Sequence, residues 1–259
     1  MIARRRFLEI VSASAGLIVL GPFAAAAQDA AQNTFDTDGG QMVVHPVSHA
    51  SFVLETPGLV IYVDPVGEAA AYSQFPAPDL ILLTHEHGDH FSVETLSALA
   101  GETAQLVTNP AVHGMLPDGL RSRATALANG ESTEVAGITI EAIPAYNTTE
   151  DRLEFHPQGR DNGYLLGVDG RRVYIAGDTE DIPEMRALEN IDVAFLPMNL
   201  PYTMDINQAA EAVKAFQPRT VYPYHYGESD VQEFASLVEA SGVSTVVVLG
   251  NWYPEGPES

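Results

Sequence analysis

Short apolar or alternating segments follow one another along most of the chain, separated by turns rich in glycine, proline and aspartate. Runs of this length and period predict β-strands, and the longer amphipathic stretches predict helices at 93–100, 207–216 and 231–240. Pro57 and Gly58, between two apolar runs, predict a tight hairpin. The strands are expected at 42–47, 51–56, 59–63, 80–83, 105–107, 138–143, 164–168, 172–175, 193–196, 220–222 and 245–249. Hairpins followed by strands that alternate with helices predict an α/β protein with its helices packed outside its sheets.

Composition limits what such a domain can do. The chain has 259 residues, of which 46% are apolar and 18% charged, enough to bury the core of one large domain. It contains no cysteine, so disulfides and thiolate ligands are excluded, and any metal must be held by histidine and carboxylate. The formal net charge of −23 argues against nucleic acid and anionic membranes as partners, because both require a basic surface.

The N-terminus has the three-part pattern of a cleaved export signal. Arginines at 4–6 precede an apolar stretch at 10–20, and alanines at 25–27 end the segment. The Arg-Arg-x-Phe-Leu core predicts a twin-arginine signal over residues 1–27 and a periplasmic protein exported in its folded state. An uncleaved anchor is the alternative, but the apolar stretch is shorter than the roughly 20 residues that span a bilayer. We therefore expect a flexible leader at 28–40 and the folded domain at 41–259.

Four potential metal ligands lie within six positions directly after the apolar run at 80–83. In the stretch THEHGDH they are His85, His87, Asp89 and His90. Neutral imidazole and carboxylate bind borderline divalent ions such as Zn²⁺, and Gly88 allows the sharp backbone turn that brings them together. A solvated histidine-rich loop or a helix cap is the alternative. Burying these groups without a metal would be costly, so the cluster predicts a metal site.

This stretch resembles the His-x-His-x-Asp-His motif of the metallo-β-lactamase fold superfamily. Further matches follow in the family's order, in VIYVDP with Asp64, FHPQGRDNGYLL with His156, RRVYIAGDTE with Asp178 and TVYPYHYG with His225. The runs VSHASFVLET and GDTEDIPEM are similar to the branch near sugar-phosphate lactonases and phospholipase-like hydrolases. The resemblance extends from about Val44 to about Gly250 and implies a four-layer αβ/βα sandwich.

Two divalent metal ions are implied by this resemblance, with Zn²⁺ favoured and Mn²⁺ as the alternative. It assigns His85, His87 and His156 to the first ion. It assigns Asp89, His90 and His225 to the second, with Asp178 bridging the two. Asp64 is expected to hydrogen-bond a ligand histidine and to fix its tautomer.

The match to the family is uneven at the third histidine of the first site. Many family members carry it directly after the strand that here ends AIPAYN, where this chain has Tyr146 and Asn147. His156 is therefore assigned to that role, which requires its loop to fold inward; the alternative is a surface residue beside Pro157. His49 is expected either near the metals or as a core histidine. Tyrosines 146, 224 and 226 flank predicted ligands and are either oxyanion donors or core residues.

The function implied by the resemblance is that of a metal-dependent hydrolase. A metal-bound hydroxide would attack a small ester, lactone or phosphoester-type substrate, with Asp89 orienting this nucleophile. A true β-lactamase is disfavoured, because zinc lactamases as a group do not rely on a bridging aspartate. A metal-binding or interaction module without turnover is a second hypothesis, since a fold alone does not establish a reaction. Seven filled ligand positions favour the enzyme.

Overall fold

The structure, a computed structural model, describes residues 33–254. The predicted signal peptide, residues 1–27, lies outside this part of the chain. The described residues form fourteen strands, which are β1 (Thr34–Asp36), β2 (Gln41–Ser48), β3 (Ser51–Thr56), β4 (Leu59–Val63), β5 (Leu80–Leu83), β6 (Gln105–Thr108), β7 (Ala124–Ala126), β8 (Ser132–Val135), β9 (Ile138–Ala145), β10 (Asp161–Val168), β11 (Arg171–Ile175), β12 (Val193–Pro197), β13 (Thr220–Tyr224) and β14 (Val246–Val247). The helices are α1 (Val93–Leu99), α2 (Pro110–Met115), α3 (Asp118–Arg121), α4 (Pro183–Arg186), α5 (Ile206–Phe216) and α6 (Val231–Ala240), with a 3₁₀ turn at Ala69–Tyr72.

The strands form two mixed seven-stranded sheets. The first runs β1-β2-β3-β4-β5-β6-β7 and the second β14-β13-β12-β11-β10-β9-β8. In each sheet, antiparallel hairpins at one end give way to parallel strands joined by helical connections. The carboxyl ends of several parallel strands therefore meet at one edge of each sheet.

The main hydrophobic core lies between the two sheets. Strand β5 shows why its sequence is apolar throughout: Leu80 and Leu82 point into this central core, while Ile81 and Leu83 pack against the outer helices of the first sheet. Side chains alternate between the faces of a strand, so a strand covered on both faces needs apolar residues at every position. Phe195 of β12 stacks on Phe52 of the first sheet with 4.3 Å between ring centroids.

Helices cover the outer face of each sheet. Leu96 of α1 and Val112 of α2 pack on the first sheet, and Phe216 of α5 and Phe234 of α6 pack on the second. Helix α5 begins at a capping box in which Asp205 and Gln208 satisfy each other's backbone amides, as expected at a helix start. Helices, sheet, sheet and helices make four layers, which confirms the predicted αβ/βα sandwich.

The predicted segments at 51–56, 59–63 and 80–83 are confirmed as strands, and Pro57-Gly58 forms the two-residue hairpin turn. The leader prediction is wrong for residues 34–36. These form β1, which pairs with β2, because Phe35 packs against the central core. Between residues 33 and 254, no helix has the length and apolar character that crossing a bilayer requires.

Candidate metal centre

The predicted site residues follow strands that end at a common edge. Asp64 follows β4, the stretch from His85 to His90 follows β5, Asp178 follows β11 by three residues, and His225 follows β13. His156 reaches the same edge from the other direction, since it precedes β10, which runs antiparallel to β11. Candidate ligands 140 residues apart in sequence, which follow strands of two different sheets, therefore become neighbours because the sheets pack face to face.

Asp178 lies at the centre of the cluster. Its Oδ2 atom is 3.2 Å from Nε2 of His225 and 3.4 Å from Nε2 of His156. The same oxygen is 3.9 Å from Nε2 of His85, and Oδ1 is 3.4 Å from Nε2 of His90. One carboxylate thus faces histidines from both of the ligand sets that the sequence predicts.

His87 and Asp89 complete the seven residues at the open side of the cluster. His87 Nδ1 lies 3.1 Å from His85 Nε2. Asp89 Oδ2 lies 3.3 Å from His225 Nε2 and 3.9 Å from His90 Nε2. The Asp89 side chain is 48% exposed, whereas His85, His90 and His225 are buried. The structure brings all seven predicted ligands together, with Asp89 at the surface of the site.

Hydrogen bonds orient the two buried histidines that follow β5. Nδ1 of His90 is 2.8 Å from Asp64 Oδ2, and Nδ1 of His85 is 3.0 Å from Thr84 Oγ1. Thr84 donates its hydroxyl and its backbone N–H to the two Asp64 oxygens, at 2.7 and 2.8 Å. An Nδ1–H donated outward leaves the Nε2 lone pair of each histidine free toward Asp178. Asp64 therefore makes the hydrogen bond to a predicted ligand histidine that the resemblance implies.

A similar arrangement orients His156. Its Nδ1 is 3.1 Å from Oδ2 of the buried Asp161, which also accepts two hydrogen bonds from Arg160, at 2.7 and 2.8 Å. Arg160 further pairs with Glu86 at 3.1 Å. His156 itself is 1% exposed, so the alternative of a surface histidine beside Pro157 is wrong.

The loop that carries His156 is held by Glu180. One Glu180 oxygen accepts four hydrogen bonds, from the backbone amides and hydroxyls of Thr148 and Thr149, at 2.6 to 2.9 Å. The other oxygen pairs with Arg152 at 2.9 Å. Because Glu180 is two residues after Asp178, this clamp ties the His156 loop to the strand end that carries the central carboxylate. Sequence reasoning placed Glu180 within a family motif but gave it no role.

The donor atoms fit divalent cations. Nε2 of His90 and Oδ1 of Asp178 are buried, 3.4 Å apart, and have no hydrogen-bond partner among the described residues. Nδ1 of His87 and Nε2 of His85, only 3.1 Å apart, need a proton or a cation between them, because two lone pairs repel. Buried polar atoms left unpaired are costly. Histidine nitrogens with carboxylate oxygens are the ligand set of zinc-type ions.

The protonation of the metal-free cluster follows from its buried charges. Burial alone would raise the pKa of Asp178, but the neighbouring His225 and His90 hold it well below its ordinary value. Burial likewise opposes charge on His225, yet Asp178 and Asp89 raise the pKa of His225 to about 9. Burial lowers the pKa of His85 well below its usual value. Neutral His85 is thus ready to bind a cation, whereas His225 must first release a proton.

His49 is a member of the site that the sequence left undecided. Its Nε2 lies 3.4 Å from Asp89 Oδ2, and its ring centroid is 3.9 Å from that of His225. Nδ1 of His49 is 2.8 Å from the hydroxyl of Tyr253. His49, Asp89 and His225 form a second group of converging donor atoms. The histidine in the sequence SHASF was the one local indication that His49 belongs to the site. No sequence pattern indicated Tyr253 as its partner.

The flanking tyrosines have structural roles. The Tyr146 hydroxyl donates to Glu184 at 3.0 Å, Tyr224 is fully buried in the central core, and Tyr226 packs edge-on against Tyr253. None of the three lines the groove over the metal cluster. The oxyanion role is therefore not supported for them.

Several backbone positions at the site have left-handed conformations. Asp64, His225 and His49 have φ values of 42°, 45° and 50°, which cost energy in residues other than glycine and which concentrate at functional sites. Gly177, at φ 64°, has no alternative, since a Cβ atom there would lie 2.7 Å from the carbonyl oxygen of Asn162. The turn before Asp178 therefore requires glycine.

A groove of about 1760 Å³ opens above the cluster. Loops from both sheets form its walls, and its floor contains His87, Asp89, His156, Asp178 and His225. This volume exceeds the roughly 300–1,000 Å³ of most small-molecule sites, so a small molecule can enter without filling the groove.

Comparisons with known proteins identify the family of the chain. A family model described as the β-lactamase superfamily domain matches residues 44–225. A UPF0173 metal-dependent hydrolase from Pyrococcus abyssi is 32% identical over 218 residues, covering 78% of this chain and 94% of that protein. The chain therefore belongs to the β-lactamase superfamily and, within it, to the UPF0173 metal-dependent hydrolases. The predicted resemblance is confirmed at this level.

Two solved structures are similar throughout the fold. A candidate metal-dependent hydrolase from Parabacteroides distasonis is 41% identical, with a TM-score of 0.78, covering 85% of this chain and 98% of that chain. Igni18, a metallo hydrolase from Ignicoccus hospitalis, is 26% identical, with a TM-score of 0.66, covering 83% of this chain and 95% of that one. The matches cover most of this chain and nearly all of each relative, which indicates a shared domain.

Proposed function

We propose that the protein is a dinuclear metal-dependent hydrolase, with Zn²⁺ favoured over Mn²⁺, that cleaves a small ester, lactone or phosphoester-type substrate. The observation that carries this proposal is the position of Asp178, whose two oxygens face histidines of both predicted ligand sets within 3.2 to 3.9 Å. His85, His87 and His156 would hold one ion, and Asp89, His90 and His225 the other. Divalent cations held there would supply Lewis acidity and hydroxide at neutral pH.

The residues of the chain prepare the site for this chemistry. Asp64, Thr84 and Asp161 each accept from or orient an Nδ1 atom, so that Nε2 of a buried histidine faces inward. Such outer partners fix ligand geometry before metal or substrate arrives. The metal cluster is buried on the side that faces the protein core and open on the side that faces the groove. A substrate can therefore reach it only from the groove.

Asp89 is the candidate catalytic residue. Burial alone would raise its pKa, but hydrogen bonds with His225 and His49 hold the pKa well below the ordinary value for aspartate. At neutral pH it is therefore ionised and can only accept hydrogen bonds. A half-exposed acceptor at the floor of the groove is suited to orienting an attacking water rather than to storing a proton.

The test is a combined measurement of metal and turnover. Protein loaded with metal should hydrolyse a member of an ester, lactone and phosphodiester screen, lose this activity on chelation, and recover it when metal is restored. His156→Ala should reduce metal affinity at one site by more than the roughly 10- to 100-fold expected for loss of an outer contact. Fully loaded protein that turns over no member of the screen would favour a binding module.

We also propose that the chain is exported by the twin-arginine route to the periplasm. The support is the Arg-Arg-x-Phe-Leu pattern followed by an apolar stretch and three alanines. Mature protein from cells should begin at Gln28, and changing Arg4 and Arg5 together to lysine should abolish export. N-terminal sequencing that finds Met1 on periplasmic protein would contradict cleavage.

A further inference from the structure

We infer that the substrate carries an uncharged, apolar group beside its scissile bond, as in an aliphatic ester or alkyl lactone, and that substrates with an anionic group remote from the metal ions, such as phosphorylated sugars, are excluded. This inference rests on the proposed hydrolase function and narrows its substrate class. It depends on the residues that line the groove away from the metal cluster.

In the described part of the chain, no lysine or arginine lines the groove away from the metal cluster. Glu68 and Glu228 do line it, from two different loops. Both glutamates are exposed. A phosphate or carboxylate remote from the metals would face these like charges without a partner, which is unfavourable in a groove with protein walls.

The two arginines near the site are already neutralised. Arg160 reaches 3.5 Å from His87 Nε2, but it is bound to Asp161 and Glu86. Arg152 is bound to Glu180. Freeing either guanidinium for a substrate would leave a buried carboxylate unpaired, which costs more than an exposed contact returns. The net charge of −23 further repels anions from the groove.

One wall of the groove is apolar and exposed. Leu200 and Tyr202, in the loop after β12, are 50% and 44% exposed, and Phe155 packs edge-on against Tyr202 with 5.1 Å between ring centroids. Val47 and Val66 also line the groove. Large apolar side chains left in contact with water at a groove mark a surface that binds an apolar group. An acyl or alkyl chain can pack against this wall, and because it is uncharged it needs no cationic partner.

The experiment compares two esters with acyl chains of similar length, one ending in a methyl group and the other in a carboxylate. For metal-loaded protein, kcat/KM on 4-nitrophenyl hexanoate should exceed that on mono-4-nitrophenyl adipate by about 10-fold or more, the scale of a like-charge contact near a protein surface. Within the neutral series from acetate to hexanoate, kcat/KM should rise about two- to fourfold per methylene. Equal or better hydrolysis of the adipate ester would overturn the inference.

Binding separates this inference from the proposed hydrolysis. Hexanoate and adipate both offer one carboxylate to the metals, so calorimetry should show tighter binding of hexanoate even if no ester is turned over. The double change Glu68→Gln with Glu228→Gln should strengthen adipate binding and so reduce the difference in affinity between hexanoate and adipate. If adipate binds as tightly as hexanoate to the unmodified protein, the substrate class is wrong, whatever the activity.

Leu200→Ala tests the apolar wall. It should lower kcat/KM on the hexanoate ester more than on the acetate ester, so that the dependence of kcat/KM on chain length becomes weaker. Leu153→Ala is the matched control, because Leu153 is 46% exposed but does not line the groove. The role of the apolar wall would be contradicted if both changes altered the dependence of kcat/KM on chain length equally. It would also be contradicted if Leu200→Ala left hexanoate binding unchanged.

Discussion

Replacing Asp64 by asparagine tests how strictly the outer hydrogen bonds control the metal centre. Asparagine has nearly the same shape as aspartate and tolerates the left-handed backbone at this position, where φ is 42°. The change therefore acts on hydrogen bonding rather than on the turn. Asp64 accepts three bonds, from the Thr84 amide, the Thr84 hydroxyl and His90 Nδ1, at 2.7 to 2.8 Å. Asparagine offers one acceptor oxygen and one NH₂ donor.

Both orientations of the new amide are unfavourable. If its oxygen accepts from the Thr84 amide, its NH₂ faces His90 Nδ1, which must then accept, so that the proton moves to Nε2 and blocks that atom as a ligand. If the amide is reversed, its NH₂ meets the Thr84 N–H, and a buried bond is lost. Removing an outer partner of this kind weakens metal binding by about 10- to 100-fold, equivalent to about 1.4–2.8 kcal/mol. Losing a buried bond to a charged acceptor costs a similar amount of folding stability.

The assay is competition with a metal-binding dye, combined with thermal unfolding of the metal-loaded and metal-free forms. Asp169→Asn is the matched control, because Asp169 also has a left-handed backbone, with φ 46°, and accepts two hydrogen bonds, from Thr37 and Gly39, but it lies outside the metal cluster. The expected result is a loss of metal affinity for Asp64→Asn alone. Equal metal affinity in both variants would refute the tautomer reasoning.

Three further predictions concern packing, the central carboxylate and pH. Gly163→Ala should lower the free energy of unfolding by about 1–3 kcal/mol in denaturant titrations, because the new Cβ atom would lie 2.6 Å from a backbone oxygen. Gly114→Ala is the control and should not lower it, because open space surrounds that position. Similar free energies of unfolding for both variants would refute the packing argument. Asp178→Ala should abolish hydrolysis and lower metal content, whereas His113→Ala should leave both unchanged; equal effects would mean that the bridging position is misassigned. Metal binding at pH 7 should release protons and strengthen as pH rises toward 9, because Asp178 and Asp89 raise the pKa of His225 to about 9 in the metal-free site and a ligand histidine must be deprotonated. Calorimetry in buffers of different ionisation enthalpy that detects no proton release would contradict this.

Sequence pattern predicted the elements with strong periodicity and missed the weak ones. Buried strands such as β5 and amphipathic helices such as α6 match their predicted bounds, because burial imposes an apolar period on their sequences. Strands β7 and β8, with polar or small residues such as those of Ser132–Val135, and the four-residue helix α4 were not predicted. Such elements are stabilised by pairing and packing with distant segments, which leave little local signal.

The candidate metal ligands could be proposed from the sequence, because metal binding needs particular side chains at particular spacings. The residues that orient them could not be, because many residue types can supply such hydrogen bonds. The histidines and aspartates at strand ends formed a recognisable pattern. Asp161, Arg160 and Glu180 act through hydrogen bonds to a loop and to His156. Nothing in the residues themselves shows which ligand they contact. Placing Tyr253 beside His49 likewise requires the three-dimensional structure, since the two are 204 residues apart.

The central claim is that Asp178 joins two metal sites. Elemental analysis of mature protein, purified without chelator after metal-supplemented expression, tests it most directly. The predicted result is close to two divalent ions per chain, falling to one or fewer in Asp178→Ala and unchanged in His113→Ala. A trace of metal, or a single ion per chain that no supplement increases, would contradict the dinuclear site.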